Sequence, residues 1–229
     1  MTGAARPRLL VFDVNETLSD LSPMAERFTD VGAPARLATA WFAGLLRDGF
    51  ALTATGVNPS FTTLGAQVLR GLLAGRVADV DAATTHIMAG FTDLPVHDDV
   101  PDGLRALHRL GITLVTLSNG PASVARGLVD RHGLEGVFDR LLSVEDAPLW
   151  KPVPAAYRYA LDVCRAQAHE AMLVAVHPWD IHGAHGAGLA TAWVDRSGAG
   201  AYPSHFARPD LEVGSLVDLA ARLADPSVR

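Results

Sequence analysis

Short apolar runs recur along the chain, and each ends in polar or turn residues. The first, Leu9–Val14, is followed at once by Asn15, Glu16 and Thr17. The next, Ile112–Leu117, is introduced by Gly111 and closed by Ser118-Asn119-Gly120. Leu141–Val144, Met172–Val176 and Thr191–Val194 follow, with Leu211–Val213 as an edge candidate. Short apolar runs bounded by turn residues predict strands buried on both faces. Between them the spacing predicts helices over Gly103–Leu110, Ser123–His132, Pro154–Ala168, Ile181–Ala187 and Leu216–Leu223. Strands alternating with helices imply βαβ units and a parallel sheet.

The stretch from 19 to 95 breaks this rhythm. It has almost no β-rich runs, and Leu37, Trp41, Leu45 and Leu64, Val68, Leu72 recur at helical spacing. It also lies between the first two strands. The expectation is an α/β fold with a Rossmann-like parallel core at 1–18 and 96–229. A helical cap domain at 19–95 is inserted after the first strand, with hinges near Ser19–Ser22 and Asp93–Pro101.

Composition narrows the classes. Of 229 residues 49% are hydrophobic and 19% charged, enough to fill a core and too apolar for disorder. The net charge of −6, with no basic cluster, argues against nucleic-acid and anionic-membrane partners. Cys164 is the only cysteine, so neither a disulfide nor a thiolate cluster can form within the chain; its helical stretch makes it buried filler. No charged segment followed by a long apolar one opens the sequence, and no run is long enough for a membrane helix. A cytoplasmic protein is expected.

In a parallel sheet the strand tips share one edge, so residues far apart in sequence converge there. One tip supplies Asp13, Asn15 and Thr17, and another Ser118 and Asn119. Lys151, the only lysine, follows the third strand, and His177 and Asp180 follow the fourth. Each has a bland reading. Asp13 and Asp180 can cap helices, Ser118-Asn119-Gly120 can be a plain turn, and a lone lysine is usually solvated. Trp41, Phe42 and Phe61 read first as packing of the helical segment, with Trp41 within reach of a pocket. Asp98 and Asp99 read as a solvated loop, and His86, His97, His108 and His132 as surface or helix-end residues. His182 and His185 lack a convergent third ligand, so no metal is expected there.

The ordered set Asp13–Thr17, Ser118-Asn119-Gly120, Lys151-Pro152, then Asp180 with Gly183-Ala184 and Gly188, resembles the haloacid dehalogenase superfamily. The resemblance covers nearly the whole chain. Most members are magnesium-dependent phosphatases, but here Asn15 replaces their acid/base aspartate and Val176 stands where a metal-binding aspartate is usual. The site is therefore read as metal-free, without a cofactor, and similar to the L-2-haloacid dehalogenases.

That resemblance implies covalent catalysis on a small 2-substituted carboxylic acid. Asp13 attacks the α-carbon and forms an ester. Asp180 activates the water that hydrolyses it to a 2-hydroxy acid. Lys151 offsets the two carboxylates, and Thr17 and Ser118 offer hydroxyls. Backbone N–H groups after Asp13, at Val14 and Asn15, and at Asn119 bind carboxylate or oxyanion. His177 positions water, beside Trp179. The family also implies a homodimer. Three departures stand out: Asn15 where a tyrosine is usual, His177 where an asparagine is usual, and Ala33 where a cap arginine is expected, with Arg36 the nearest substitute. These leave a non-halide substrate such as azetidine-2-carboxylate open, then a small-molecule phosphatase, then a non-catalytic binder.

Overall fold

Leu9–Phe12 (β1) is buried at every position, as a strand covered on both faces must be. The computed structural model describes residues 6–198 and 200–225, so residues 1–5 of the expected core segment, and 226–229, lie outside it. β1 pairs in parallel with Thr113–Ser118 (β2) on one side and Ala171–Ala175 (β4) on the other, Phe12 lying opposite Thr116 and Val174. Arg140–Ser143 (β3) adds to β2. Ala190–Val194 (β5) and Leu211–Val213 (β6) extend the β4 side. The order is β3-β2-β1-β4-β5-β6. The chain leaves β1 toward one edge and later returns to its other side. A crevice therefore opens between the loops after β1 and β4, the usual ligand position in such sheets.

Side chains of β1 alternate between two cores, Leu9 and Val11 entering one, Leu10 and Phe12 the other. The second core is closed by Val100–Arg109 (α5), Ala122–Arg131 (α6) and Leu216–Ala224 (α9). The first is covered by Pro154–Cys164 (α7) and Pro178–Gly186 (α8). Two of these helices begin earlier than the periodicity suggests, at Val100 rather than Gly103 and at Pro178 rather than Ile181. In both a proline occupies the first turn, where its missing N–H costs no helical bond. α7 stops at Cys164, short of Ala168, because Arg165 turns left-handed at φ 52°.

Met24–Asp30 (α1), Leu37–Ala54 (α2), Phe61–Leu73 (α3) and Val80–Phe91 (α4) lie between β1 and α5. Ser60 and Asp79 cap α3 and α4 by accepting the N–H of Thr63 and Ala82. Their apolar faces, including Phe28, Trp41, Leu45, Phe61 and Phe91, merge with the first core through Trp150. Trp150 stacks on Phe61 and donates its indole N–H to Pro59 O at 2.9 Å. A Cβ on Gly49 would come within 2.3 Å of its ring, so only glycine admits the contact. Asn58 donates to the carbonyls of Val144 and Ala147, fixing the α2–α3 loop over the β3 tip. The two connections run together: Ser19 bridges to Val96, Asp20 N–H donates to Pro95 O, and His97 N–H donates to Leu18 O. Among the described residues no helix is long and apolar enough to cross a membrane.

Candidate active site

β1 ends at Phe12, yet Asp13 N–H still donates to Val174 O at 3.1 Å. This last bond fixes where the Asp13 carboxylate emerges. The chain then turns sharply: Leu18 and Ser19 return their N–H groups to Val14 O, and Glu16 sits at φ 62°. That turn brings Thr17 back beside Asp13. Thr17 Oγ1 accepts the N–H of Val176 at 3.1 Å, so its one hydrogen is free to be donated to Asp13 Oδ2, 2.8 Å away.

Lys151 Nζ lies between two carboxylates, 2.9 Å from Asp13 Oδ1 and 2.6 Å from Asp180 Oδ2. Lys151 and Asp180 expose 0% of their surface and Asp13 3%, so the ions face a medium far less screening than water. Asp180 comes from the first turn of α8, and its other oxygen accepts from Tyr157 OH at 2.6 Å. Gly183 makes that approach possible, since a Cβ there would meet the Tyr157 hydroxyl at 2.5 Å.

The carboxylates are driven apart. Burial alone would raise Asp13, but the Lys151 ammonium, and then the His177 hydrogen bond, hold it well below the usual carboxylate range. Burial pushes Asp180 up, the Asp13 charge adds to this, and Lys151 and Tyr157 offset it only in part. Burial works against the Lys151 cation, and the two carboxylates outweigh it. Tyr157 stays a neutral donor, raised well above its ordinary value by burial and by Asp180.

His177 has carboxylates at both ring nitrogens. Nδ1 is 3.1 Å from Asp13 Oδ2, and Nε2 is 2.8 Å from Glu16 Oε2. Carboxylates only accept, so both nitrogens carry hydrogen and the ring is a cation. Burial opposes this charge; the bonds to Asp13 and Glu16 prevail and raise the pKa to about 9. The Trp179 ring stacks on His177 at 5.0 Å and lies 5.8 Å from Lys151 Nζ.

The remaining expected residues divide. Asn119 clamps the Lys151 backbone: its Oδ1 accepts Lys151 N–H at 3.0 Å and its Nδ2 donates to Lys151 O at 3.2 Å. Ser118 Oγ accepts Gly120 N–H, which leaves its hydrogen for another acceptor. Val14 is buried, with its carbonyl used by the turn. Asn15 is buried beside Gly120, and its Oδ1 has no hydrogen-bond partner among the described residues. Trp41 is fully buried; it packs on Phe28 and Phe91 and donates its N–H to Gly65 O. Arg36 is exposed at the residue before α2 and does not line the cleft.

A cleft of about 640 Å³ runs between the helical layer and the sheet edge and ends at His177. Its sheet side carries Glu16, His97 and Arg196; its helical side includes Ala38, Trp41 and Phe42. Four residues of this region escaped the sequence reading: Glu16, Tyr157, His97 and Arg196. His97 is no mere surface residue, since its Nε2 meets Glu16 O at 2.9 Å. Arg196 donates twice to Thr17 O and once to Asp99 Oδ1. Asp99, read as a solvated loop residue, thus holds Arg196 and also accepts Leu216 N–H at the start of α9. Cys164 is half-buried rather than core filler.

The chain matches the family model for haloacid dehalogenase-like hydrolases over residues 7–188. It is 34% identical over 139 residues to an (S)-2-haloacid dehalogenase of Pseudomonas sp. (strain YL), a match spanning 60% of this chain and 60% of that protein. With (S)-2-haloacid dehalogenase 4A of Burkholderia cepacia it shares 28% identity over 194 residues, 83% of this chain and 84% of that one. A solved L-2-haloacid dehalogenase superposes with a TM-score of 0.88 at 26% identity, over 96% of this chain and 100% of that one. A parallel sheet with helices on both faces, strand-tip carboxylates bridged by a buried lysine, and a family match over most of the sequence lead to one conclusion: the chain belongs to the haloacid dehalogenase-like hydrolases.

Proposed function

We propose that this hydrolase acts without a metal on small 2-substituted carboxylic acids, as an (S)-2-haloacid dehalogenase does, through an ester on Asp13. The observation that carries the reading is the Lys151 ammonium bridging Asp13 and Asp180. It keeps the first carboxylate ionised as a nucleophile, while burial leaves the second the more basic of the two. The Asp13 carboxylate displaces the leaving group from the α-carbon. Asp180 takes a proton from water, which attacks the ester carbonyl. The alkoxide recovers the proton and departs as a 2-hydroxy acid. In this scheme Ser118, Trp179 and the backbone at Val14 and Asn119 border the substrate, and the active form is a homodimer.

The donor set does not suit Mg²⁺, which takes oxygen ligands. Both Asp13 oxygens face hydrogen-bond donors, two of them cationic, and Asn15 and Val176 supply no carboxylate. A second reading has one observation behind it. Asn15 Oδ1 is buried and unpartnered, and it can accept from an N–H that a halide lacks. That favours a nitrogen leaving group, as in azetidine-2-carboxylate.

The test is single-turnover mass spectrometry of the intact protein in EDTA with L-2-chloropropionate and chloroacetate, with Asp180→Asn as an ester trap. An adduct on Asp13 with halide released is the expected result. Absence of both would reject the haloacid reading. An adduct formed only with azetidine-2-carboxylate would establish the second.

A further inference from the structure

The two oxygens of Asp13 are not equivalent. Oδ2 accepts from Thr17 Oγ1 at 2.8 Å and from His177 Nδ1 at 3.1 Å, which occupies both of its in-plane lone pairs. Among the described residues Oδ1 accepts only from Lys151 Nζ, which leaves one lone pair. Both donors to Oδ2 are fixed from behind. Thr17 is oriented by Val176 N–H, and His177 by Glu16 Oε2 at 2.8 Å and by stacking on Trp179.

We propose that Oδ1 of Asp13 is the attacking atom, and that His177 with Thr17 forms an anion hole for Oδ2 during ester hydrolysis. Glu16 is the positioning residue that keeps the imidazole charged once Asp13 is esterified. This rests on the aspartyl-ester reading above.

The electron count gives each group its moment of action. In the first step the Oδ1 pair forms the bond to the α-carbon, and the leaving group departs with its own pair. Asp13 becomes a neutral ester with Oδ2 as its carbonyl oxygen. In the second step water loses a proton to Asp180 and bonds to Cγ, and the carbonyl pair moves onto Oδ2. That oxygen now bears a full negative charge between an imidazolium and a hydroxyl already aimed at it. Collapse breaks the Cγ–Oδ1 bond and the alkoxide takes the proton from Asp180; Asp13 is left as a carboxylic acid holding one oxygen from water, and loses that remaining proton to solvent as the carboxylate reforms. Donors set in advance around a developing oxyanion are worth about 10²–10³ in rate each.

Glu16 is needed because esterification removes one of the two carboxylates that charge His177. Without it the ring would face only the neutral carbonyl of esterified Asp13, with Nε2 open to the cleft. The other ionised groups nearby are Lys151 and Asp180, reached through Asp13, then Arg196 on Thr17 O, and Asp20 and Asp195 in the same cleft. His97 meets the Glu16 carbonyl, and α2 brings to the cleft only Ala38, Thr39, Trp41 and Phe42, none charged.

The experiment is rapid-quench mass spectrometry with L-2-chloropropionate, timing ester formation and decay separately. The proteins are wild type, Asp180→Asn, His177→Gln and Glu16→Gln. His177→Gln is expected to form the ester within about tenfold of the wild-type rate and to hydrolyse it about 10²-fold more slowly, so that the ester accumulates. Glu16→Gln tests the same point without altering a contact to Asp13. A folded-state pKa raised by a carboxylate falls when that carboxylate is neutralised. The alkaline limb of ester decay should therefore move to lower pH, with ester formation unshifted. Equal slowing of both steps in His177→Gln, or an unmoved alkaline limb in Glu16→Gln, would overturn the proposal. If Asp180→Asn also forms no ester, the underlying reaction falls and this proposal with it. An ester in Asp180→Asn but none accumulating in His177→Gln rejects the anion hole alone.

Discussion

The cleft has two walls of opposite character. The sheet side is ionic: Glu16 and His177 line it, and behind them a hydrogen-bonded chain runs from His177 through buried Asp13 and Lys151 to Asp180. The helical side carries no charged group and offers Met24, Ala38, Thr39 and Phe42. The difference separates two tasks. The buried charges gather at the strand tips, whose positions the β-ladder fixes. The helical layer shapes the space and excludes water, and it brings no cation to that wall. A cation facing the cleft has to come from the sheet side, where Arg196 lies.

Lys151→Met breaks the comparison at its strongest point. It leaves Asp13 and Asp180 buried without their shared cation, and a loss of about 3–5 kcal/mol in urea unfolding at neutral pH is expected. A smaller loss would mean that water reaches the pair. Gly49→Ala probes the seam between the walls. The added Cβ collides with the Trp150 ring, so a cost of about 1–3 kcal/mol is expected, read from the same unfolding curves. No cost would show that Trp150 yields freely and that the walls are only loosely joined. Arg36→Ala should do least, changing kcat/KM by no more than about twofold, because an exposed residue away from the cleft is worth about 0.5 kcal/mol or less. A large loss would return a cation to the helical wall.

The sheet side was the more legible in sequence. Asp13, His177 and Asp180 follow apolar runs, and Lys151 is the only lysine, so a strand-tip argument finds them together. Tyr157 was hidden because it follows Pro154 on an amphipathic helix, where an aromatic residue reads as packing. Glu16 was hidden because its role depends on a left-handed turn that no periodicity reports. Arg196 and Asp99 lie 97 residues apart and meet only through the tertiary fold. On the helical side the pattern marked Trp41 as apolar but could not say how far it reached toward the cleft. Arg36 stands just before α2, exposed, between Ala35 and Ala38 of the cleft lining, so nearness in sequence did not bring it into the cleft.

The paired connections at Ser19 and Val96 bear on how the cleft can widen. Two independent tethers would let the helical layer tilt, twist and slide. Tethers laced by the Asp20–Pro95 and Leu18–His97 bonds act as a single strap, stiff against shear along its length and compliant across its width. Any widening of the cleft is then confined to a tilt about that strap. The contacts at Trp150 and Asn58, which join the layer to the sheet through the α2–α3 loop, are the latch that any such tilt has to release.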